Sequence, residues 1–211
     1  MYRDRQKAIP HITDGCLSFD VITDYLGPGR LLDLGCATGY FLEKLGPNAQ
    51  GYDVSRPNVD VCREKGLTAN VVDLNTWDGS VDEKFDGVLL SHVLEHVDAP
   101  INLLRAINRA LAPGGRLVLG LPTEHTLRRI RYPYGYDRSV QHLYAFTYHN
   151  AKFLLDMAGF EVDLRWVWYP LLHRWNLKRV DTFLRQSVPF SVGLLFSSGY
   201  FVAARKVSDL R

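Results

Sequence analysis

Residues 31–40 read LLDLGCATGY. A short apolar run meets Asp33, and then Gly35 and Gly39 enclose Cys36, Ala37 and Thr38. The pattern predicts a buried strand that ends at Gly35, with Gly39 at or just inside the next helix. Glycine at these places removes the Cβ and admits positive φ, so a ligand can come close to the main chain. The turn lacks the G-x-G-x-x-G spacing of dinucleotide binding, because Ala37 holds the middle glycine position. Taken alone, the stretch also reads as a tight turn that binds nothing.

Outward from this turn, strand-like and helix-like segments alternate. RLLDLG (30–35), GYDV (51–54), TANVVDL (68–74), FDGVLLSHV (85–93) and RLVLGLP (116–122) read as strands. Ser55 is the expected cap of a helix with Val59 and Cys62 on one face, stopped at Gly66. Asp98 is the expected cap of another, whose Ile101, Leu104, Asn108 and Leu111 share one stripe. Five alternations predict parallel strands joined by helical crossovers, and apolar runs without strict period two predict strands covered on both faces. The fold class expected is therefore α/β: a Rossmann-like open, mostly parallel seven-stranded sheet, helices on both faces, an antiparallel last strand. Ligands of such sheets lie beyond the carboxyl ends of the strands.

After Pro122 the pattern breaks. Residues 123–146 are long, aromatic and basic without clear period. Thr147 is the expected cap of a helix to about Met157. FEVDLRWVWY (160–169) and SGYFVAARK (198–206) read as strands around an insertion. The division expected is one domain over 1–211: a helical cap at 1–29, with SFDVITDYL (18–26) as its helix, a core at 30–122, and a loop and an insertion at 123–146 and 170–197.

The chain has 211 residues and a net charge of +2, which makes no case for a nucleic-acid partner. Cys16, Cys36 and Cys62 form no CxxC pair, so neither a disulfide framework nor a zinc site is expected, and a reducing cytoplasm is the default. MYRDRQKAIPHITDG has no apolar core of a secretory signal. Gln186 to Ala204 carries no charge, but Pro189, Gly193, Gly199 and four serines read better as a buried strand with its preceding loop than as a membrane span.

Three acids stand at the ends of three successive predicted strands. Asp53 lies 18 residues past Gly35, where a carboxylate can accept both hydroxyls of a ribose. Asp73, with Leu74 after it, can accept from an exocyclic amine while the next backbone N–H donates to a ring nitrogen. Asp33 can brace the glycine loop. Each acid alone also reads as a cap or turn residue; three in succession make coincidence a poorer account. Ser91 and His92 end the fourth strand on the same edge. His92 and His96 are four apart, but no third ligand is evident and no metal is expected.

The motifs LLDLGCATGYFLEKL, GYDVS, VVDLN, FDGVLLSHVLEHVDAP, LAPGGRLVLGLPT and HLYAFTYHNAKFLLDMAGFEV, in this order over 30–162, resemble the class I S-adenosylmethionine-dependent methyltransferases. The similarity is to the small-molecule type of the ubiquinone-biosynthesis O-methyltransferases. Ala37 departs from the family's commonest glycine, yet alanine is small enough for the same turn. The resemblance implies S-adenosylmethionine as cofactor. It implies that Asp33, Gly35, Cys36, Ala37 and Gly39 pass its methionine part and that Asp53 holds the ribose. Val54 would pack on the adenine, Asp73 and Leu74 would read the adenine edge, and Ser91 and His92 would flank the sulfonium.

Methyl transfer needs a nucleophile held in line at about 3 Å with water excluded. An oxygen nucleophile can also need a general base, and His142 and His96 are the candidates. Each equally reads as a histidine bonded to a helix end or loop carbonyl. The acceptor expected is a small molecule: a sugar, a quinone or a lipid-linked precursor. Arg128, Arg129, Arg131 and Arg138 with Tyr132, Tyr134 and Tyr136 could grip it. Trp166, Trp168, Trp175 and Arg165, Arg174, Lys178, Arg179 suit peripheral contact with a membrane surface or lipid-linked substrate. The rival readings are a non-catalytic S-adenosylmethionine sensor and an NAD-dependent oxidoreductase on a similar sheet.

Overall fold

The computed structural model describes residues 19–123, 142–168, 180, 188–197 and 199–209. In chain order these form α1 (Phe19–Leu26), β1 (Leu31–Leu34), α2 (Tyr40–Leu45), β2 (Ala49–Asp53), α3 (Arg56–Glu64), β3 (Ala69–Val71) and β4 (Phe85–Ser91). A 3₁₀ turn (Leu94–His96) follows, then α4 (Pro100–Ala110), β5 (Leu111–Pro122), α5 (Tyr148–Met157), β6 (Phe160–Trp168), α6 (Phe190–Phe196) and β7 (Gly199–Lys206).

Seven strands make one sheet in the order β3-β2-β1-β4-β5-β7-β6. The first five pair in parallel, and β7 runs antiparallel between β5 and β6. The order reverses between β1 and β4, so the crevice of an open α/β sheet falls there. Two apolar clusters explain why. Leu32, Leu34, Val88, Leu90, Leu117 and Leu119 point to the face covered by α4 and α5. Leu31, Leu89 and Val118 point to the face covered by α1, α2 and α3. A strand buried on both faces has no polar side to show, hence the unbroken apolar runs.

Several local expectations change. β3 ends at Val71, so Asp73 stands two residues past the strand and opens a turn. Its carboxylate accepts from the Asn75 N–H at 3.0 Å, and its carbonyl accepts from the N–H groups of Thr76 and Trp77. β3 is the edge strand, paired only with β2, and Val71 is 39% exposed, so little burial extends it. The cap of α4 is Ala99 with Pro100 in the first turn, not Asp98. Proline's fixed φ suits the first helical turn, where its missing N–H costs nothing. The uncharged stretch before β7 is not all loop: Phe190–Phe196 is helical.

Trp166 does not belong to an exposed aromatic surface, whereas Arg165 is exposed and lies among aromatic rings. Trp166 is buried and stacks on Phe201 with ring centres 5.3 Å apart. The Arg165 guanidinium lies over the rings of Tyr148 and Phe190, at 4.4 and 4.7 Å. Both sit on β6, where period two sends one side chain into the core and its neighbour across a helix end. The arginines and tyrosines of 124–141 and most of the 170–197 insertion lie outside the described residues. Among the described residues no helix is long and apolar enough to cross a membrane.

Candidate active site

The turn after β1 is built by three residues in the left-handed region: Gly35 (φ 75°), Ala37 (φ 47°) and Gly39 (φ 88°). The glycines have a reason within the protein. A Cβ on Gly35 would overlap Val93, and one on Gly39 would overlap Leu67 and crowd Cys62. Ala37 takes the same region at a cost of about 1–2 kcal/mol that glycine escapes. His92 (φ 56°), just past β4, is the other described non-glycine residue with positive φ. Strained residues at two adjacent strand ends mark the rim where the sheet order reverses.

Asp53 ties this rim together. One carboxylate oxygen accepts from the Ala37 N–H at 2.9 Å; the other accepts from the Ser55 N–H at 2.8 Å and from Asn58 Nδ2 at 3.4 Å. The N–H groups of Gly35 and Cys36 donate to the Tyr52 carbonyl, so the turn is sewn to β2. Cys36 and Cys62 are buried free thiols on either side of the Ala37 carbonyl, and Cys62 donates to it at 3.3 Å. Burial pushes both thiols up, which makes them unreactive at neutral pH.

Asp33 is buried beneath the turn. Its carboxyl is pushed up to about 7, first by loss of water and then by the negative charge of Asp53, against one backbone N–H bond from Leu42. Its Oδ2 has no hydrogen-bond partner. The hydroxyl of Ser91, at the end of β4, is likewise buried without a partner. Buried polar atoms are normally satisfied, so both fit a ligand carrying its own donors and acceptors. Val54 and Leu74 are half-buried at the ends of neighbouring segments.

Beyond β4 the 3₁₀ turn places Glu95 completely out of solvent. Around its Oε1 stand His92 Nδ1 at 3.5 Å, His142 Nε2 at 3.9 Å and His96 Nε2 at 4.0 Å. The rings of His96 and His142 meet edge to face, 4.8 Å apart. His142 arrives because the returning chain docks here: the N–H groups of Leu143 and Tyr144 donate to the Glu95 carbonyl, and Tyr144 Oη donates to the Asp98 carbonyl. The sequence pairs His92 with His96 on a helical face; the fold gathers them with His142 around a residue the sequence reading passed over. The signal was present in HVLEH, an acid between two histidines beside a strand end, but nothing in its period announces burial. Glu95, His96 and His142 also bring ligand-type atoms within 4.8 Å of one another, a grouping that does not include His92. A shallow depression lined by Gly29, Arg30, Asn48 and Thr68 lies at the opposite, amino edge of β1–β3 and carries none of these residues.

This strand order, with a glycine turn at the switch point and acids along the carboxyl edge, defines a Rossmann-like S-adenosylmethionine-dependent methyltransferase. The family model described as a methyltransferase domain matches residues 9–164, and the chain belongs to that family. It is 29% identical over 201 residues to the mitochondrial ubiquinone biosynthesis O-methyltransferase of Schizosaccharomyces pombe, covering 84% of this chain and 69% of that one. In fold it is similar to an S-adenosylmethionine-dependent methyltransferase from Mesorhizobium loti (TM-score 0.67, 19% identity, 92% of this chain and 99% of that one). It is also similar to N-methyltransferase NodS of Bradyrhizobium japonicum in complex with S-adenosyl-l-homocysteine (TM-score 0.62, 17% identity, 97% and 94%). The protein is thus a methyltransferase that uses S-adenosylmethionine.

Proposed function

We propose that the chain methylates a hydroxyl oxygen of a small aromatic diol of the quinone-precursor class, with or without a lipid tail. The observation that carries this reading is the imidazole cluster beside the rim: an oxygen nucleophile gains from a base whose ordinary pKa lies near neutrality. The name of the S. pombe relative points to the same chemistry. A sugar hydroxyl, far less acidic than a phenol, is the less suitable acceptor for a histidine base.

In this reading the backbone of Gly35, Cys36, Ala37 and Gly39 passes the methionine part, and Asp33 Oδ2 accepts from its ammonium. Asp53 has lone pairs left after its backbone bonds and accepts from the ribose hydroxyls. Val54 packs on the adenine, while Asp73 and the Leu74 N–H read its edge. Ser91 and His92 flank the sulfur, and His142 or His96 receives the acceptor's proton. The bound cofactor supplies a methyl group on a sulfonium, whose leaving group needs no protonation. The protein's own work is to orient the acceptor, exclude water and hold the proton. The compartment proposed is the cytoplasm, where free Cys36 and Cys62 persist.

The test is transfer of labelled methyl from S-adenosylmethionine to a panel of a catechol acid, a hydroquinone, a hexose and an aromatic amine. Label is expected on a phenolic oxygen, and His142→Ala is expected to lower turnover about 10²-fold or more. Label on the sugar or the amine, or turnover indifferent to both His142→Ala and His96→Ala, would refute it.

A further inference from the structure

The end of α3 lies against the back of the glycine turn, residue by residue. Cys62 Sγ donates to the Ala37 carbonyl at 3.3 Å. Lys65 Nζ donates to the Thr38 carbonyl at 2.8 Å. Leu67 packs where Gly39 has no side chain: a Cβ there would stand 2.6 Å from its Cδ1. The three contacts come from one place because α3 stops between them. Lys65 is its C-cap, and Gly66, with φ 77°, turns the chain so that the Leu67 N–H reaches the Cys62 carbonyl at 3.0 Å.

These contacts fix the direction of peptide groups in the turn. The Gly39 N–H donates to the Cys36 carbonyl at 2.9 Å, and the carbonyl of the same peptide, that of Thr38, goes to Lys65. The Ala37 N–H goes to Asp53 and the Ala37 carbonyl to Cys62. The carbonyls of Ala37 and Thr38 thus point toward α3. α2 makes no use of the Thr38 carbonyl: Gly39 is the cap, and its own carbonyl accepts from the Glu43 N–H. Thr38 is 8% exposed, and a buried carbonyl left without a donor is costly. Ala37 keeps its left-handed backbone only where its surroundings over-determine it. Lys65 is the member of this set that reaches in from outside, since it is exposed whereas Cys62 is in the core.

We propose that Lys65 is a positioning residue for methyl transfer: by holding the Thr38 carbonyl toward α3, it keeps the glycine turn in the shape that receives S-adenosylmethionine. The proposal rests on the reading above that this turn passes the methionine part of the cofactor. That part ends in a carboxylate, and carbonyl oxygens turned toward it would repel it. Drawn toward α3, they leave its path. Lys65 touches neither cofactor nor acceptor in this account; it acts through the turn, so its effect falls on cofactor affinity. Lysine suits the place because a long stem carries three donors across from the helix end. Methionine keeps much of that stem and has no donor, whereas arginine keeps both charge and donors.

The experiment is calorimetric titration of S-adenosylhomocysteine into the folded full chain as wild type, Lys65→Met, Lys65→Arg and Asp53→Ala, with a melting curve of each without ligand. Lys65→Met is expected to raise Kd about three- to tenfold, the loss of one hydrogen bond from a charged donor, discounted for its exposure. Lys65→Arg should stay within about twofold of wild type. The unliganded Tm of Lys65→Met should stay within about 2 °C of wild type, as for an exposed side chain. Hydrogen exchange on unliganded Lys65→Met should be faster over 35–39 and unchanged in the central strands.

Lys65→Met binding as tightly as wild type, with Asp53→Ala weakened, overturns the proposal and leaves the cofactor's seat standing. Lys65→Arg weakened as much as Lys65→Met also overturns it. So does an affinity loss accompanied by a fall of several degrees in unliganded Tm, which is what a merely structural contact gives. If Asp53→Ala also binds as wild type does, the seat of the cofactor on this turn falls, and the role of Lys65 with it.

Discussion

Asp33 shows how one residue can couple the turn to pH. Its carboxyl, pushed up to about 7 in the folded protein, returns to about 3.9 when the chain unfolds. A folded pKa above the unfolded one means that Asp33's contribution is fully present below about pH 4 and is lost as pH rises through 7. One unit is worth about 1.4 kcal/mol, so the span approaches 4 kcal/mol as an upper figure. Urea denaturation between pH 5 and 8 should show wild-type stability falling, and Asp33→Asn should flatten that slope. An equal slope in the variant would remove Asp33 as the cause. The proposed seat of the cofactor's ammonium on the same carboxylate predicts that binding of S-adenosylhomocysteine at pH 6.5 releases up to one proton. Calorimetry in two buffers of different ionisation enthalpy measures it, and Asp33→Asn should abolish it.

At the scale of elements, two caps that look alike in sequence part company. Thr147 precedes α5, and its hydroxyl accepts from the Asn150 N–H at 3.3 Å. Ser55 precedes α3, but its side chain makes no capping bond; Asp53, two residues earlier, accepts from the Ser55 N–H instead. Thr147→Ala should therefore cost about 1 kcal/mol of unfolding free energy, and Ser55→Ala only a few tenths. Chemical denaturation of both variants checks the contrast, and equal losses would refute it. The same comparison shows what was legible. β1, β4 and β5 announce themselves because burial on two faces leaves mostly apolar residues, with Asp33 the buried exception in β1. β3 is overread because an edge strand ends where its neighbour stops covering it, which is not written in its own residues. α6 is read as loop because Pro189 and Gly193 suggest breaks, although Pro189 stands at the cap position, before the first turn. The first two acids fall where the sequence puts them; Asp73 does not, for the reason that shortens β3. The place of Glu95 among the histidines is not legible in the sequence because it depends on His142, forty-seven positions away and brought in where Leu143 and Tyr144 dock through backbone hydrogen bonds.

At the scale of the whole molecule, the sheet carries the site on its carboxyl edge while both faces are spent on packing. Folding and cofactor binding are then linked by mass action: a ligand that meets only the native edge stabilises it by RT ln(1 + [L]/Kd), about 2.7 kcal/mol at a hundredfold excess over Kd. For a chain near this size each kcal/mol moves Tm by roughly 2–4 °C. S-adenosylhomocysteine at that excess should therefore raise Tm by about 5–10 °C. The sharper question is where that linkage enters. Asp53→Ala removes the carboxylate that joins the Ala37 turn to the start of α3, so it should lower the unliganded Tm and also erase most of the ligand-induced rise. Thr147→Ala lowers the unliganded Tm too, but it lies at the start of α5 and touches none of the proposed cofactor residues, so its ligand-induced rise should match wild type. Differential scanning fluorimetry of the three proteins, with and without S-adenosylhomocysteine, separates the cases. A full rise in Asp53→Ala would mean that the ligand is not held by the edge of β2, and the assignment of the ribose to Asp53 would fall with it.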